Sequence, residues 1–317
     1  MKSFLEDVRN QRQLKSLIGL SREEFDKLLE VFSLCLEETK NEKYRKNRKR
    51  RKRKPGGGRK GLLGIPENKL FFILYYLKNY PTFDVVGFIF GISPSKAHEH
   101  VKKLIPILKR AQKTLRVLPK QCFENAAEFY QVIENNRNIV IDATEREHFR
   151  HHNEKQQRQH FSGKKQRHTV KNTVLATTSK GIFFVGKTVP GSRHDYALLK
   201  QEFDPREDWF KSVTVSVDLG YQGIKNDYLS PANIRIPHKK PRKSKRNPTP
   251  SLTKKQKQEN QLMSRIRVAI EHAIGGMKSF RILTIKFRNR LKNFANEAIL
   301  LTAGLSNLKN SFVISVA

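Results

Sequence analysis

Apolar residues recur at three- and four-residue steps through the first third of the chain, give way to strand-like runs, and return to helical spacing near the end. Leu20-Ser21-Arg22-Glu23-Glu24 opens the first clear helix: Leu20 can staple to the first turn, and Ser21 with Glu24 makes a capping box. Phe25, Leu28, Leu29, Phe32 and Leu36 give that helix an apolar face, widened by Val31 and Leu34. Such a face suits either a packing helix of a small N-terminal bundle or a self-association element; residues 1–40 are read as helical. A further helix is predicted from Pro66, with Leu70, Phe71, Leu74, Tyr75 and Leu77 inward and a stop at Asn79-Tyr80-Pro81. A short helix over 84–90, a tight turn at Gly91 and a helix capped by Ser93-Pro94 follow, with Val101, Leu104 and Ile105 inward. Pro106 is expected to end or kink that last helix. The pattern fits a helix-turn-helix and also an ordinary three-helix packing unit. In the first reading Ser95, Lys96, His98 and Glu99 face outward, towards base edges or phosphates.

The middle of the chain predicts strands over 138–142, 171–178, 181–189, 213–217 and 233–237, with a helix over 195–202. The second and third strands form a hairpin joined at Ser179-Lys180-Gly181. Residues 146–168, crowded with Arg, Lys, His and Gln, are read as a loop that touches polyanion, and so are 238–258, which begin His238-Lys239-Lys240. His148, His151, His152, His160 and His168 show no metal-ligand spacing and are read as solvated. From about 255 to 312 the spacing is helical again. Leu262, Ile266, Ala269, Ile270, Ala273 and Ile274 form one stripe, and Arg267, Glu271 and Lys278 lie on the next.

Charge changes this picture most. The 317 residues carry 64 Lys+Arg against 29 Asp+Glu, a net charge of +35, which opposes compaction unless something anionic neutralises it. Nucleic acid is the natural partner. An anionic membrane surface is the runner-up, but there is no apolar run of 18 residues and no signal peptide. From Arg45 to Lys54 every residue except Asn47 is Lys or Arg, and Pro55-Gly56-Gly57-Gly58 follows as a flexible joint. Such a run repels itself and is expected to be extended. Arg45, Lys46, Arg48, Lys49, Arg50 and Arg51 are candidate phosphate contacts, and a nuclear-targeting role has the same composition. Cys35 and Cys122 alone make no disulfide scaffold.

Three carboxylates stand out by position. Asp142 ends the strand-like run 138–141, Asp218 ends 213–217 ahead of Gly220 and Gly223, and Glu271 lies on the late helix. A carboxylate at a buried strand end wants a cation or a wet cleft. For Glu271 a surface salt-bridge row with Arg267 and Lys278 is the plain alternative.

Ile141-Asp142-Ala143-Thr144, Asp218-Leu219-Gly220-Tyr221-Gln222-Gly223 and Arg267-x3-Glu271-x6-Lys278, taken in order, resemble the signatures of DDE transposases, best those of the insertion-sequence-five and Harbinger-related branch. Ser264 stands where that signature carries a tyrosine thought to touch the DNA backbone. Gly191-Ser192-Arg193-His194-Asp195 resembles another family motif, whose Asp195 is read as structural. The resemblance covers roughly 55–305. It implies an α/β ribonuclease-H-like catalytic core over 135–312, preceded by an all-α helix-turn-helix DNA-binding domain over 61–120; pattern and composition place a basic arm and linker over 41–60 and a helical segment over 1–40 before them. It implies Asp142, Asp218 and Glu271 as catalytic ligands of two Mg²⁺ or Mn²⁺ ions about 3.5–4 Å apart. Lys96, His98, Lys239, Lys240, Arg267, Lys278 and the arm would contact DNA. The expected activity is cleavage and strand transfer at the terminal inverted repeats of a mobile element, by a homodimer or higher oligomer bound to end and target DNA. The expected place is the cytoplasm or nucleoid of a bacterium, or a eukaryotic nucleus. The alternative is a transposase-derived DNA-binding protein that no longer cuts.

Overall fold

A computed structural model describes residues 3–47, 61–133, 136–245 and 247–315. Arg48, Lys49, Arg50 and Arg51 of the basic run lie outside the described residues. In chain order the elements are α1 (Gln11–Ile18), α2 (Arg22–Lys46), α3 (Pro66–Asn79), α4 (Phe83–Ile89), α5 (Pro94–Thr114), α6 (Ala126–Ile133), β1 (Asn138–Glu147), α7 (Glu154–His160), β2 (Phe161–Ser162), β3 (Arg167–Thr177), β4 (Ile182–Val185), β5 (Val189–Pro190), α8 (Asp195–Glu202), β6 (Thr214–Ser216), α9 (Ile224–Asp227), β7 (Ile234–Arg235), α10 (Lys254–Lys278) and α11 (Phe294–Lys309). They fall into two compact units. One holds the chain up to Leu118 with 277–285 and 290–313; the other holds 119–276 and 286–289. Among the described residues no helix is long and apolar enough to cross a membrane.

The second unit is built on a mixed sheet ordered β2-β3-β1-β6-β7, with β4 and β5 also pairing β3. β1 is antiparallel to β3 and parallel to β6, and β7 continues the parallel side. The hairpin of β3 and β4 forms as expected, with a register shift between Leu175 and Ala176. Thr169 to Thr177 are all buried, so this strand shows no apolar–polar alternation.

The expected loop over 146–168 is largely ordered. β1 runs on to Glu147, and α7 and β2 follow. The cause is a buried polar network that hydropathy cannot show. Arg146 is 4% exposed, its Nη2 donates to Asn172 Oδ1 at 2.8 Å, and Asn172 Nδ2 donates to Gly186 O at 2.7 Å. Burial pushes the Arg146 guanidinium down to about 9. The second expected loop is cut short too, because α10 starts at Lys254.

In the first unit α2 packs on α3 and α5, and α4, α3 and α11 pack on α5. The Ser21–Glu24 capping box is present, with Glu24 N–H donating to Ser21 Oγ at 3.2 Å and Ser21 N–H to Glu24 Oε2 at 2.6 Å. α2 extends through Arg45 and Lys46, so these two residues are not in an extended arm; the helix continues to the Asn47 cap. Leu34 is 62% exposed and does not join the apolar face, which is Phe25, Leu28, Phe32, Cys35 and Leu36. Gly91 takes the left-handed conformation (φ +60°) that turns α4 into α5, and a Cβ on Gly87 would sit 2.6 Å from Ile92 O. Pro106 does not end α5. It lies on the exposed side, while Leu104, Ile105, Ile107 and Leu108 bury on both sides of it and hold the helix together.

α11 is the most buried helix of this unit and meets α5 at Gln112, which is fully buried and donates from Nε2 to Leu301 O at 3.0 Å. A Cβ on Gly304 would overlap Gln112 Oε1. Alanine is worth about 1 kcal/mol over glycine in a helix interior. Here that gain should be outweighed by displacing the buried amide, so Gly304→Ala should destabilise by about 1–3 kcal/mol. Urea unfolding checks this, with Gly304→Ala/Gln112→Ala recovering part of the loss.

Candidate active site

Pairing of β1 with β6 matches Asn138 with Thr214, Ile139 with Val215 and Val140 with Ser216. Two residues further along each strand stand Asp142 and Asp218. Parallel pairing thus sets the two carboxylates at neighbouring positions: Asp218 lies just past the C-terminal end of β6, whereas Asp142, expected to end its strand, lies mid-strand opposite Val174 because β1 runs on to Glu147. Asp218 caps the 3₁₀ turn Leu219–Tyr221, accepting from Gly220 N–H at 2.7 Å. Asp142 accepts from the Ala143 N–H at 2.8 Å.

Burial pushes the Asp142 carboxyl up to about 6. The Ala143 hydrogen bond opposes this, Asp218 adds to it, Arg267 opposes it, and Asp195 adds to it again. The folded chain therefore keeps this proton to about pH 6, while an unfolded aspartate releases it near 3.8. The sign follows: above pH 6 the metal-free fold carries an unfavourable charge that the unfolded chain does not feel, and stability falls as pH rises from about 4 to 6.

Arg267 comes from α10. With Ser264 and Asn260 of the same helix it lines a cleft of about 290 Å³ shared with Asp218, Leu219 and Pro237. Its Nε is buried and has no hydrogen-bond partner among the described residues. The helix is tied to the segment after β7 by Asn260, whose Oδ1 accepts from His238 N–H at 2.7 Å and whose Nδ2 donates to His238 O at 3.0 Å. His238 Nε2 also meets Glu259 at 2.5 Å.

Glu271 lies one helical turn beyond Arg267, exposed, with no hydrogen bond or ion pair to a described residue. Of α10, Arg267 acts electrostatically on Asp142, and Asn260, Ser264 and Arg267 share the cleft with Asp218. Asp195, the first residue of α8, pairs with Lys171 Nζ at 2.7 Å, and Lys171 also donates to Arg193 O at 2.8 Å. Tyr221, fully buried, has its hydroxyl within electrostatic reach of Asp142, Asp195, Asp218 and Glu202, and is pushed well above the usual phenol range, first by burial. Glu202 is pushed up to about 7 by burial, with Thr173 opposing. Tyr221 and Glu202 escape sequence reasoning because only the packed structure brings them behind the strand ends.

The other candidate residues are scattered. Lys96 is exposed and paired with Glu99 at 3.3 Å. His98 is half-buried, its ring edge-on to Phe83 at 5.1 Å, so it does not face freely outward. Lys239 and Lys240 are exposed, and Lys278 is half-buried at the last position of α10. Leu262 is 57% exposed and falls off the expected stripe; burial on α10 begins at Ile270. The expectation of solvated histidines is overturned for His148, which is buried, and for half-buried His151 and His160, whose rings stack on it at 5.5 and 5.7 Å. The reversal through α7 brings residue 160 back to residue 148, which linear spacing does not reveal.

The family model described as a DDE superfamily endonuclease matches residues 141–307, more than half of the chain, and that of the helix-turn-helix of DDE superfamily endonuclease matches 63–113. The chain is 30% identical over 298 residues to a probable transposase for insertion sequence element IS702 from Microchaete diplosiphon, covering 93% of this chain and 94% of that protein. No solved structure matches it significantly. Asp142 and Asp218 lie within the first matched region and α3, α4 and α5 span the second, and the chain belongs to the DDE superfamily endonucleases.

Proposed function

We propose that the chain is a DNA transposase of the insertion-sequence-five and Harbinger-related branch, cleaving and joining strands at the terminal inverted repeats of its own element. The observation that carries this reading is the meeting of Asp142, on β1, with Asp218, just past the end of the parallel strand β6, with Arg267 beside them. A sheet with an antiparallel side on β3 and a parallel side on β6 and β7 supports the ribonuclease-H-like core. The relative's printed description as a transposase supports the reaction.

The donor set fits a hard dication. Mg²⁺ takes carboxylate and water oxygens, and a half-buried carboxylate pair gains from a cation what it loses to desolvation and mutual repulsion. Asp142, Asp218 and Glu271 would hold two Mg²⁺ or Mn²⁺ ions, which supply charge neutralisation at phosphorus and activation of the attacking oxygen. Arg267 offsets the carboxylate charge and faces the cleft that a phosphate would enter. The Lys171–Asp195 pair holds the start of α8 against β3. Water is the nucleophile in cleavage and a freed 3′-hydroxyl in strand transfer, with no covalent enzyme intermediate. DNA is gripped by the basic arm, by α5 through Lys96, and by Lys239 and Lys240, with a homodimer or larger assembly bringing the two element ends together.

Asp142→Asn, Asp218→Asn and Glu271→Gln should each nearly abolish Mg²⁺- or Mn²⁺-dependent nicking of a terminal-repeat duplex while DNA affinity holds or rises. Double variants should be little worse than single ones, because the groups act as a unit. Normal nicking by Glu271→Gln would remove it from the ligand set. A wild type that binds ends and never nicks them with any divalent metal would favour the binding-protein alternative.

Without divalent metal, Asp142→Asn should also stabilise the fold by about 2–3 kcal/mol at pH 8, since the carboxyl is raised by roughly two units at 1.36 kcal/mol each. The gain should shrink at pH 5, where the native aspartate is already protonated. Thermal unfolding in EDTA at both values measures it.

Neutralising Arg48, Lys49, Arg50 and Arg51 together should flatten the slope of log affinity against log salt by about 3–4, with little change in site preference. An unchanged slope takes the arm off the DNA. Lys96→Ala should reduce preference for terminal repeats over random DNA by roughly 1–3 kcal/mol if it reads a base; His98→Ala should instead lower thermal stability through its lost contact with Phe83.

A further inference from the structure

Away from the aspartates, His148, His151 and His160 each bring a ring nitrogen to within 4.8 Å of the other two. We propose that these three imidazoles form a second metal site, for a borderline transition-metal dication of the zinc type. The inference is independent of the reading proposed for the carboxylates.

Several observations converge on it. His148 follows the end of β1, where its main chain bridges to Phe287 and its N–H donates to His168 O at 2.9 Å, so its position is fixed by backbone. His160 is the last residue of α7, and the Asn153 cap that starts this helix sets its register. His148 Nδ1 faces Phe149 O at 3.3 Å and His160 Nδ1 faces Gln156 O at 2.8 Å. A carbonyl oxygen can only accept, so both Nδ1 atoms carry the proton and both Nε2 atoms keep a lone pair for a ligand. Outer-sphere carbonyls orient metal-bound histidines in this manner. Neutral imidazole is the metal-binding form.

The spacing is workable. Bonds of about 2.0–2.1 Å in a tetrahedron set ligand nitrogens about 3.3 Å apart. Contraction from 4.8 Å or less requires the half-buried His151 and His160 rings to turn so that their lone pairs converge with that of His148. Three protein ligands leave a fourth position for a solvent molecule. Nitrogen-only donors select zinc over the magnesium that carboxylates and water prefer. The site also lies six residues along the chain from Asp142, about 20 Å at strand rise, so the two cannot share an ion. A metal here would pin the exposed, basic α7, with Lys155 and Arg158, to the Phe287 edge.

The test uses the full-length protein, stripped with EDTA and titrated with Zn²⁺ and with Co²⁺. The expected result is a site of one equivalent whose Co²⁺ form shows the intense visible absorption of four-coordination, and a Zn²⁺-dependent rise in melting temperature. His151→Ala/His160→Ala should lose the Zn²⁺-dependent rise, measured from its own metal-free melting temperature, and should bind Zn²⁺ about 100-fold more weakly or worse. Asp142→Asn/Asp218→Asn should keep the site. The proposal is overturned by absence of a saturable Zn²⁺ site in the wild type, by a weak six-coordinate Co²⁺ spectrum, by retention in the histidine variant, or by loss in the aspartate variant alone. Should the histidine variant fail to fold, His160→Gln alone, which keeps a polar side chain on the exposed end of α7, carries the same comparison.

Discussion

The hydrogen-bonded parallel pairing of β1 with β6 is the constraint on which the active site depends. It fixes register, and register fixes which residues lie side by side: from Val140 opposite Ser216, two steps reach Asp142, still within β1, and Asp218, just past β6. A slip of one residue would turn one aspartate to the other face of the sheet, and the pair would be lost. The apolar runs behind them make such a slip costly. Ile139, Val140 and Ile141 on β1 and Val213, Val215 and Val217 around β6 are buried at 3% exposure or less. The same core that stabilises the unit therefore specifies the position of its least stable groups.

Those groups act against the fold when no cation is near. Asp142 resists ionisation because it is half-buried and because Asp218 is near, and only Arg267 opposes that from the side of α10. A net charge of +35 does not solve this problem, since most of it lies elsewhere on the surface and is screened beyond about 10 Å at moderate salt. What matters is local: Arg267 in the cleft and Lys171 on Asp195. The rest of the positive charge bears on a polyanion that covers a broad face, and long-range attraction suits that task.

Legibility in the sequence follows how burial is achieved. The capping box at Ser21, the turn at Gly91, the cap at Ser93 and the strand end before Asp218 are local events, written in a few adjacent residues, and each stands in the structure where the sequence places it, whereas the strand expected to end at Asp142 runs on to Glu147. The far half of β1 was not legible because Arg146 is buried against Asn172, 26 residues away, and a buried arginine has the hydropathy of a surface one. Helix α5 passing through Pro106 was not legible either, since the compensation comes from packing on both sides of the proline. The histidine cluster depends on a chain reversal through α7, a helix whose seven residues bury nothing and so leave no periodic trace.

The third carboxylate is held by a different kind of force from the first two. Asp142 and Asp218 are placed by backbone hydrogen bonds across strands, which have little slack. Glu271 sits on α10, and that helix is placed by side chains: Ile270, Ala273, Ile274 and Met277 bury one stretch, and Asn260 ties the other end to His238. About 15 Å of helix separates Asn260 from Ile270, and none of the intervening side chains is buried. Rotation about the helix axis over that span breaks no backbone hydrogen bond between elements, so it costs far less than a shift of β1 against β6. In the proposed ligand set, Asp142 and Asp218 would therefore be a rigid pair and Glu271 an adjustable member, able to follow a phosphate if the proposed cleavage and joining change its geometry.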